Sequence, residues 1–275
     1  MESRSTDVQG LRMRWEERGE GPAVVLVHGI PTGPRLWRHV LPQVRGARAL
    51  AWELVGYGES IPQGRNRDIS VARQADYLAA WIETLGIAPV VAVGHDLGGG
   101  VVQNLAVKHR GLVRGLVLTN AISYDSWPIP LVKALRALGG MVERLPGAAV
   151  RPILWPLMVL GHERPEQTRA GLAAHAPPYL RHGGTAALVR QVRSLNVRDT
   201  LSLAEHLPAL DLPTRLVWGA ADGFQKIGYG YRLAYELRAP LDRIEGGRHF
   251  VPEDHPERVA AAVNALLAEL DRPRP

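Results

Sequence analysis

Short, uninterrupted runs of apolar residues alternate along the chain with longer segments in which apolar residues recur at helical spacing. Such continuous runs are typical of strands that are buried on both faces of a sheet. The alternation therefore predicts an α/β fold, with a mostly parallel central sheet and helices on both faces. The predicted strands lie within residues 23–27, 47–52, 90–93, 116–118 and 215–218, and the predicted helices within residues 69–85, 98–109, 229–237 and 256–270.

The regular alternation stops between about residues 121 and 207. Leucines repeat there at helical spacing, and eight prolines divide the segment into short pieces, because proline disrupts helix interiors. We therefore expect residues 121–207 to form an inserted helical cap, and residues 1–120 and 208–275 to form the α/β core. Both ends, residues 1–6 and residues 271–275, are expected to fray.

Composition narrows the possible partners. The 275 residues contain no cysteine, which excludes thiol chemistry and disulfide scaffolds, and the net charge of +6 is dispersed among acidic residues, which does not indicate a nucleic-acid partner. No export signal is visible, and the most apolar stretch, residues 148–160, is too short to cross a membrane. We expect a cytoplasmic protein with no membrane or nucleic-acid partner. The histidines show no metal-binding spacing, so no metal or other cofactor is expected.

A sharp turn is predicted where the strand within residues 90–93 meets the following helix. Gly94 and Gly98 lie two residues on either side of Asp96, which is the spacing of a strand-to-helix turn that exposes a nucleophile. The turn is too tight for side chains at the two glycine positions. Asp replaces the more usual Ser, and a carboxylate is already ionised at neutral pH without the help of a base. The N-terminus of the following helix also favours the ionised form.

Several further motifs occur with this turn in a fixed order. Together they resemble the α/β-hydrolase family, and within it the branch of haloalkane dehalogenases and epoxide hydrolases, from about Leu11 to Leu270. The motifs are His28-Gly29-Ile30-Pro31-Thr32, Leu36-Trp37-Arg38, Gly56-Tyr57-Gly58-Glu59-Ser60, the turn at Asp96, Trp218-Gly219-Ala220-Ala221-Asp222 and Gly247-Arg248-His249-Phe250-Val251-Pro252.

The resemblance implies a hydrolase with a two-step mechanism. Asp96 is expected to attack a carbon atom, displacing a halide or opening an epoxide, and to form a covalent alkyl ester. His249 then activates the water that cleaves the ester, and Asp222 orients the histidine. Because some relatives place this acid after the preceding strand, Asp125 is an alternative.

The resemblance also implies a pocket that stabilises developing negative charge. The backbone N–H groups of Ile30 and Leu97 are expected to supply it. The side chains at these two positions depart from the usual dehalogenase pattern, because neither offers the hydrogen-bond donor that normally binds the halide. The indole of Trp127 could supply a donor from the cap instead.

Two cap tyrosines keep epoxide opening as an alternative, since epoxide hydrolases polarise the ring oxygen with tyrosine hydroxyls. These residues are Tyr124 and Tyr179, and we place both in the substrate pocket together with Trp127 and His28. The apolar cap favours a small, largely apolar substrate, with water as co-substrate. The sequence does not distinguish a halide from an epoxide. Ester or lactone hydrolysis, and a catalytically idle protein that binds small molecules, are the competing functions, and the oligomeric state is open.

Overall fold

The computed structural model describes residues 2–272, and its centre is a sheet of eight strands. Their spatial order is β1-β2-β4-β3-β5-β6-β7-β8, in which β2 runs antiparallel to both β1 and β4, and all other neighbouring strands are parallel. The predicted α/β fold with a mostly parallel sheet is confirmed. The strands are β1 (Glu2–Val8), β2 (Leu11–Arg18), β3 (Ala23–Val27), β4 (Arg48–Trp52), β5 (Val90–Asp96), β6 (Val113–Ala121), β7 (Thr214–Gly219) and β8 (Leu241–Ile244).

Helices cover both faces of this sheet, and side chains alternate between the two faces along each strand. In β3, Val25 and Val27 point into one apolar core, and Val24 and Leu26 into the other. The helices are α1 (Val71–Leu85), α2 (Leu97–Lys108), α3 (Pro130–Ala137), α4 (Gly139–Val142), α5 (Val150–Gly161), α6 (Pro165–Arg181), α7 (Gly184–Ser194), α8 (Arg198–Leu201), α9 (Ile227–Glu236), α10 (Val251–Asp254) and α11 (Pro256–Leu270). Helices α1, α2 and α9 contribute to the first core, and α11 to the second.

The N-terminal strands were missed by the sequence analysis. Residues 2–6 do not fray, because they belong to β1, which pairs with β2 along its whole length, whereas Met1 and residues 273–275 lie outside the described residues. Strand β1 is mostly exposed and polar, and β2 buries only alternate residues. A strand at the edge of a sheet needs no continuous apolar run, so the pattern that indicates central strands does not reveal it.

In the described chain, the segment between β6 and β7 contains six α-helices, α3 to α8. Helices α5, α6 and α7 share a small apolar cluster, which includes Leu154, Ala176 and Leu188 together with Ile61 of the core. The cap and the core together line a cavity at the end of β5, above Asp96. No helix within residues 2–272 combines the length and the apolar character that crossing a bilayer requires. The cytoplasmic location stays a prediction.

Candidate active site

Asp96 lies on a sharp turn between β5 and α2. Its backbone has a φ of +51°, which is rare for a residue with a side chain, and its carboxylate is largely buried. The flanking glycines make the turn possible. A Cβ atom on Gly98 would lie 2.0 Å from the carbonyl oxygen of Val27, and one on Gly94 would lie 2.5 Å from the carbonyl oxygen of Gly98. Only glycine fits at either position, as the spacing in the sequence predicts.

The two carboxylate oxygens of Asp96 have different surroundings. The backbone N–H of Ile30 donates a hydrogen bond to Oδ2 over 3.0 Å, and the N–H of Leu97 also favours the ionised carboxylate. Gly29 permits this approach, because a Cβ there would lie 2.3 Å from Oδ2. Burial raises the pKa of Asp96, although the charge of His249 and the two N–H groups oppose the rise. Oδ2 is therefore held in place, and Oδ1 is the oxygen that faces His249.

His249 lies between β8 and α10, with its two ring nitrogens facing two carboxylates. Nδ1 lies 2.9 Å from Oδ2 of Asp222, and Nε2 lies 4.0 Å from Oδ1 of Asp96. Burial lowers the pKa of His249, but the two carboxylates outweigh burial and raise the pKa above its ordinary value. At 4.0 Å no hydrogen bond joins His249 to Asp96, so Oδ1 is free of a direct contact with the ring.

Asp222 follows β7 and is held by two donors in addition to His249. The N–H of Phe224 donates to Oδ1 over 2.7 Å, and the side-chain amide of Asn120, near the end of β6, donates to Oδ2 over 2.6 Å. Sequence reasoning missed Asn120. Its position near the end of a central parallel strand is a signal that could have found it, because strand ends meet at this edge of the sheet.

Asp125, the alternative acid, lies away from His249. It is exposed, and its carboxylate accepts a hydrogen bond from the hydroxyl of Tyr229 over 3.2 Å. The structure thus brings Asp96, His249 and Asp222 together, and leaves Asp125 outside the group.

Among residues 2–272, the lining of the cavity above Asp96 is apolar apart from three side chains. Both core and cap contribute apolar groups, such as Leu97 and Phe250 from the core and Leu157, Leu188 and Val192 from the cap. The three polar or charged side chains in the lining are Asp96, His249 and Gln225. Sequence reasoning did not single out Gln225, which lies in the same loop as Asp222.

The two cap tyrosines do not line this cavity, contrary to the prediction. The hydroxyl of Tyr124 donates to Oε2 of Glu236 over 2.7 Å, and the hydroxyl of Tyr179 donates to Oε1 of Gln191 over 2.6 Å. Both rings are buried, that of Tyr124 in the first core and that of Tyr179 in the cluster between the cap helices. Each hydroxyl has its partner within the protein and is turned away from the space above Asp96.

The placement of His28 in the pocket is also wrong. Its ring is fully buried below the site, where Nε2 accepts a hydrogen bond from the N–H of Leu54 over 3.1 Å and Nδ1 lies 2.9 Å from the carbonyl oxygen of Gly29. Trp127 does line the cavity, as predicted, but its indole N–H donates to Oγ1 of Thr200 over 2.6 Å. This N–H is therefore not free to bind a substrate.

A group of buried charges lies behind His249, where the end of α5 meets α10. Nδ1 of His162 lies 2.7 Å from Oδ1 of Asp254, and its Nε2 lies 3.3 Å from Oε2 of Glu253. Burial lowers the pKa of His162, but the two carboxylates outweigh burial and raise the pKa to about 9. The same turn contacts the loop that carries His249, since the carbonyl oxygen of Gly161 accepts the N–H of His249 over 3.0 Å. A backbone hydrogen bond thus connects the end of the cap helix α5 to His249.

Comparisons with known proteins agree with this architecture. Residues 22–152 match a family described as alpha/beta hydrolase fold. Haloalkane dehalogenase 2 of Mycobacterium tuberculosis is 30% identical over 283 residues, which cover 95% of this chain and 93% of that protein. Bifunctional epoxide hydrolase 2 of Sus scrofa is 34% identical over 121 residues, covering 43% of this chain and 22% of that protein. A solved structure of an alpha/beta hydrolase fold protein from Burkholderia ambifaria is 28% identical, with a TM-score of 0.85 and coverage of 94% of this chain and 96% of that one.

Proposed function

The chain belongs to the α/β-hydrolase family, in the branch of the haloalkane dehalogenases and epoxide hydrolases, and from this premise we propose that it hydrolyses a carbon–halogen bond in a small apolar molecule through a covalent ester on Asp96. One observation carries the choice of bond. Among the described residues, the cavity contains a carboxylate, an imidazole and an amide, but no hydroxyl group that could act as an acid. An opening epoxide develops an alkoxide, which needs a proton donor, whereas a halide leaves as a stable anion and needs only hydrogen bonds.

The first step forms the ester. Oδ1 of Asp96 attacks the carbon that carries the halogen, and the carbon–halogen bond breaks with its electron pair on the halide. Oδ2 is held by the N–H group of Ile30, so the carboxylate is oriented before the substrate arrives. The apolar lining excludes water and leaves the carboxylate with few other partners.

The same step prepares His249 for the second one. Esterification removes the negative charge of Asp96, and this charge is one of the causes that raise the pKa of His249. The pKa of the imidazole therefore falls in the intermediate, which favours the neutral ring when a base is needed. Asp222, 2.9 Å from Nδ1, keeps Nε2 as the nitrogen that accepts a proton.

Hydrolysis of the ester completes the cycle. His249 Nε2 takes a proton from water, and the water oxygen attacks Cγ of Asp96. Negative charge then develops on Oδ2, which already accepts the N–H of Ile30, and we expect the N–H of Leu97 to stabilise the same charge. The bond between Cγ and Oδ1 breaks, and the alcohol leaves with Oδ1 and takes the proton from His249. Asp96 retains the oxygen of the water and releases its second proton.

The other candidate functions have weaker support. Epoxide opening by paired tyrosines is disfavoured, because the hydroxyls of Tyr124 and Tyr179 are bound to Glu236 and Gln191. Ester or lactone hydrolysis in this fold normally uses Ser or Cys as the nucleophile, and position 96 is Asp. An idle binding protein would have no need of a His249–Asp222 pair directed at that Asp.

The decisive experiment is to trap the ester. We expect His249→Gln, incubated with haloalkanes, to gain the mass of the alkyl group without the halogen, to release one halide per protein and to carry the label on the peptide that contains Asp96. Asp96→Asn is the control and should gain no mass. A folded His249→Gln protein that reacts with epoxides and with no haloalkane would reverse the choice of bond, and one that reacts with neither would refute the mechanism.

A further inference from the structure

Gln225 is the one polar side chain in the described cavity lining that the mechanism above does not use. The residue is only 2% exposed, and its side-chain Oε1 has no hydrogen-bond partner within residues 2–272. Buried amides are nearly always hydrogen-bonded, because leaving one unpaired costs free energy. An unpaired amide in the wall of a reaction cavity points to a partner that arrives with the substrate.

The backbone around Gln225 is firmly held, although its amide is not. The carbonyl oxygen of Gln225 accepts a hydrogen bond from the buried indole N–H of Trp218 over 2.8 Å. The preceding residue, Phe224, donates its N–H to Asp222. The loop that positions the acid therefore also positions Gln225. Because Oε1 is buried without a partner, no hydrogen bond through that atom fixes the orientation of the amide, and its NH₂ can face the cavity.

Within residues 2–272, two other donors near the reacting carbon are already in use. The indole N–H of Trp127 is bound to Thr200, and the N–H of Ile30 is bound to Oδ2 of Asp96. The side chains of Ile30 and Leu97 have no donor at all. A departing halide nevertheless needs at least one donor in this apolar space, because an unpaired buried anion is costly.

We propose that the side-chain amide of Gln225 donates a hydrogen bond to the departing halide and so takes the place of the donors that are absent at positions 30 and 97. This inference rests on the proposed function and deepens it, because it assigns a binding site to the halide. It also predicts that Gln225 affects the choice between different halogens in the substrate. Chloride is a poorer leaving group than iodide and a stronger hydrogen-bond acceptor, so loss of the amide should slow chloroalkanes more than iodoalkanes.

The test compares Gln225→Met with Leu188→Met, both in a His249→Gln background where only the first step is observed. Methionine keeps the length of Gln225 and removes its donor, whereas Leu188 lines the same cavity and has no donor to lose. We expect Gln225→Met to lower the rate of alkylation of Asp96 by a chloroalkane about 10- to 100-fold. The rate of alkylation by the matched iodoalkane should fall much less. In Leu188→Met, the ratio of the two rates should stay as it is in the parent.

A second measurement does not depend on the substitution. Bromide diffused into crystals of the unmodified protein should give an anomalous peak within hydrogen-bond distance of the Gln225 amide. Bromide bound elsewhere in the cavity, or an unchanged chloro-to-iodo rate ratio in Gln225→Met, would overturn the role of Gln225 while the trapped ester still stood. If no haloalkane labels Asp96 in the parent, the proposed function has failed, and the role of Gln225 fails with it. If Gln225→Met does not fold, the position of the bromide decides.

Discussion

Replacing Asp222 by Asn removes a negative charge that lies 2.9 Å from Nδ1 of His249. With an effective dielectric constant of about 20, the Coulomb attraction at that distance is about 6 kcal/mol for a charged imidazole. The charge also opposes the lowering of the His249 pKa by burial. Asp222→Asn should therefore lower the pKa of His249 and weaken the stabilisation of its protonated form.

The substitution also changes which nitrogen of His249 carries the proton. Asp222 accepts from Phe224 through Oδ1, and from Asn120 and His249 through Oδ2. An amide has only one acceptor oxygen. If that oxygen serves Phe224, the NH₂ group faces His249, which must then accept at Nδ1 and carry its proton on Nε2. In this tautomer Nε2 cannot act as the base.

We expect Asp222→Asn to slow hydrolysis of the alkyl ester about 10³- to 10⁴-fold, which corresponds to about 4–5.5 kcal/mol. This loss of transition-state stabilisation does not exceed the Coulomb attraction between Asp222 and a charged His249. It is the loss expected when both the charge of Asp222 and the correct tautomer of His249 are removed. Alkylation, which uses Asp96 alone, should change less than about tenfold. Rapid-quench measurements should then show a burst of one halide per protein, followed by slow turnover.

Asp125→Asn is the matched control, because it removes a carboxylate that is exposed and bound to Tyr229. It should turn over like the unmodified protein, with no burst. A burst in Asp125→Asn together with normal turnover in Asp222→Asn would identify Asp125 as the acid and refute the reasoning above.

Three further predictions concern pH and hydrogen bonding. Burial raises the pKa of Asp96 above its ordinary value of 3.8, and alkylation needs the ionised carboxylate. The kcat/KM for a chloroalkane should therefore fall with decreasing pH through a pKa above 3.8. A fall that begins only below pH 3.8 would contradict the assignment of Asp96 as the nucleophile. The two carboxylates beside His162 raise its pKa from the ordinary 6.5 to about 9, so the stabilisation by its charge is full below pH 6.5 and is lost as the pH rises through 9. The difference in free energy of unfolding between the unmodified protein and His162→Gln, measured with urea, should therefore decrease by up to about 3 kcal/mol between pH 6 and pH 10. A difference that does not change with pH would contradict the raised pKa. Trp127→Phe should lose the hydrogen bond to Thr200 and about 1 kcal/mol of stability, but should keep the ratio of the alkylation rates with a chloroalkane and an iodoalkane. A large fall in that ratio would assign halide binding to Trp127 instead of Gln225.

The sequence by itself predicts the features that depend on local pattern. Continuous apolar runs locate the central strands β3 to β7, because strands buried on both faces need apolar residues at every position. The glycines around Asp96 predict the sharp turn, because the space that they leave is set by the turn itself. The edge strands β1 and β8 are partly exposed and lack such runs, and the sequence analysis did not locate them.

The tertiary structure alone decided which polar groups the cavity offers. Tyr124 and Glu236 are 112 residues apart, yet their hydrogen bond turns the Tyr124 hydroxyl away from Asp96. Trp127 and Thr200 are 73 residues apart, and their hydrogen bond occupies the indole N–H. Gln225 lines the cavity because its loop folds against Trp218. The periodicity of apolar residues indicates only which face of a helix or strand is buried. The partner of a hydrogen-bond donor depends on elements that are distant in the sequence and meet only once the chain has folded.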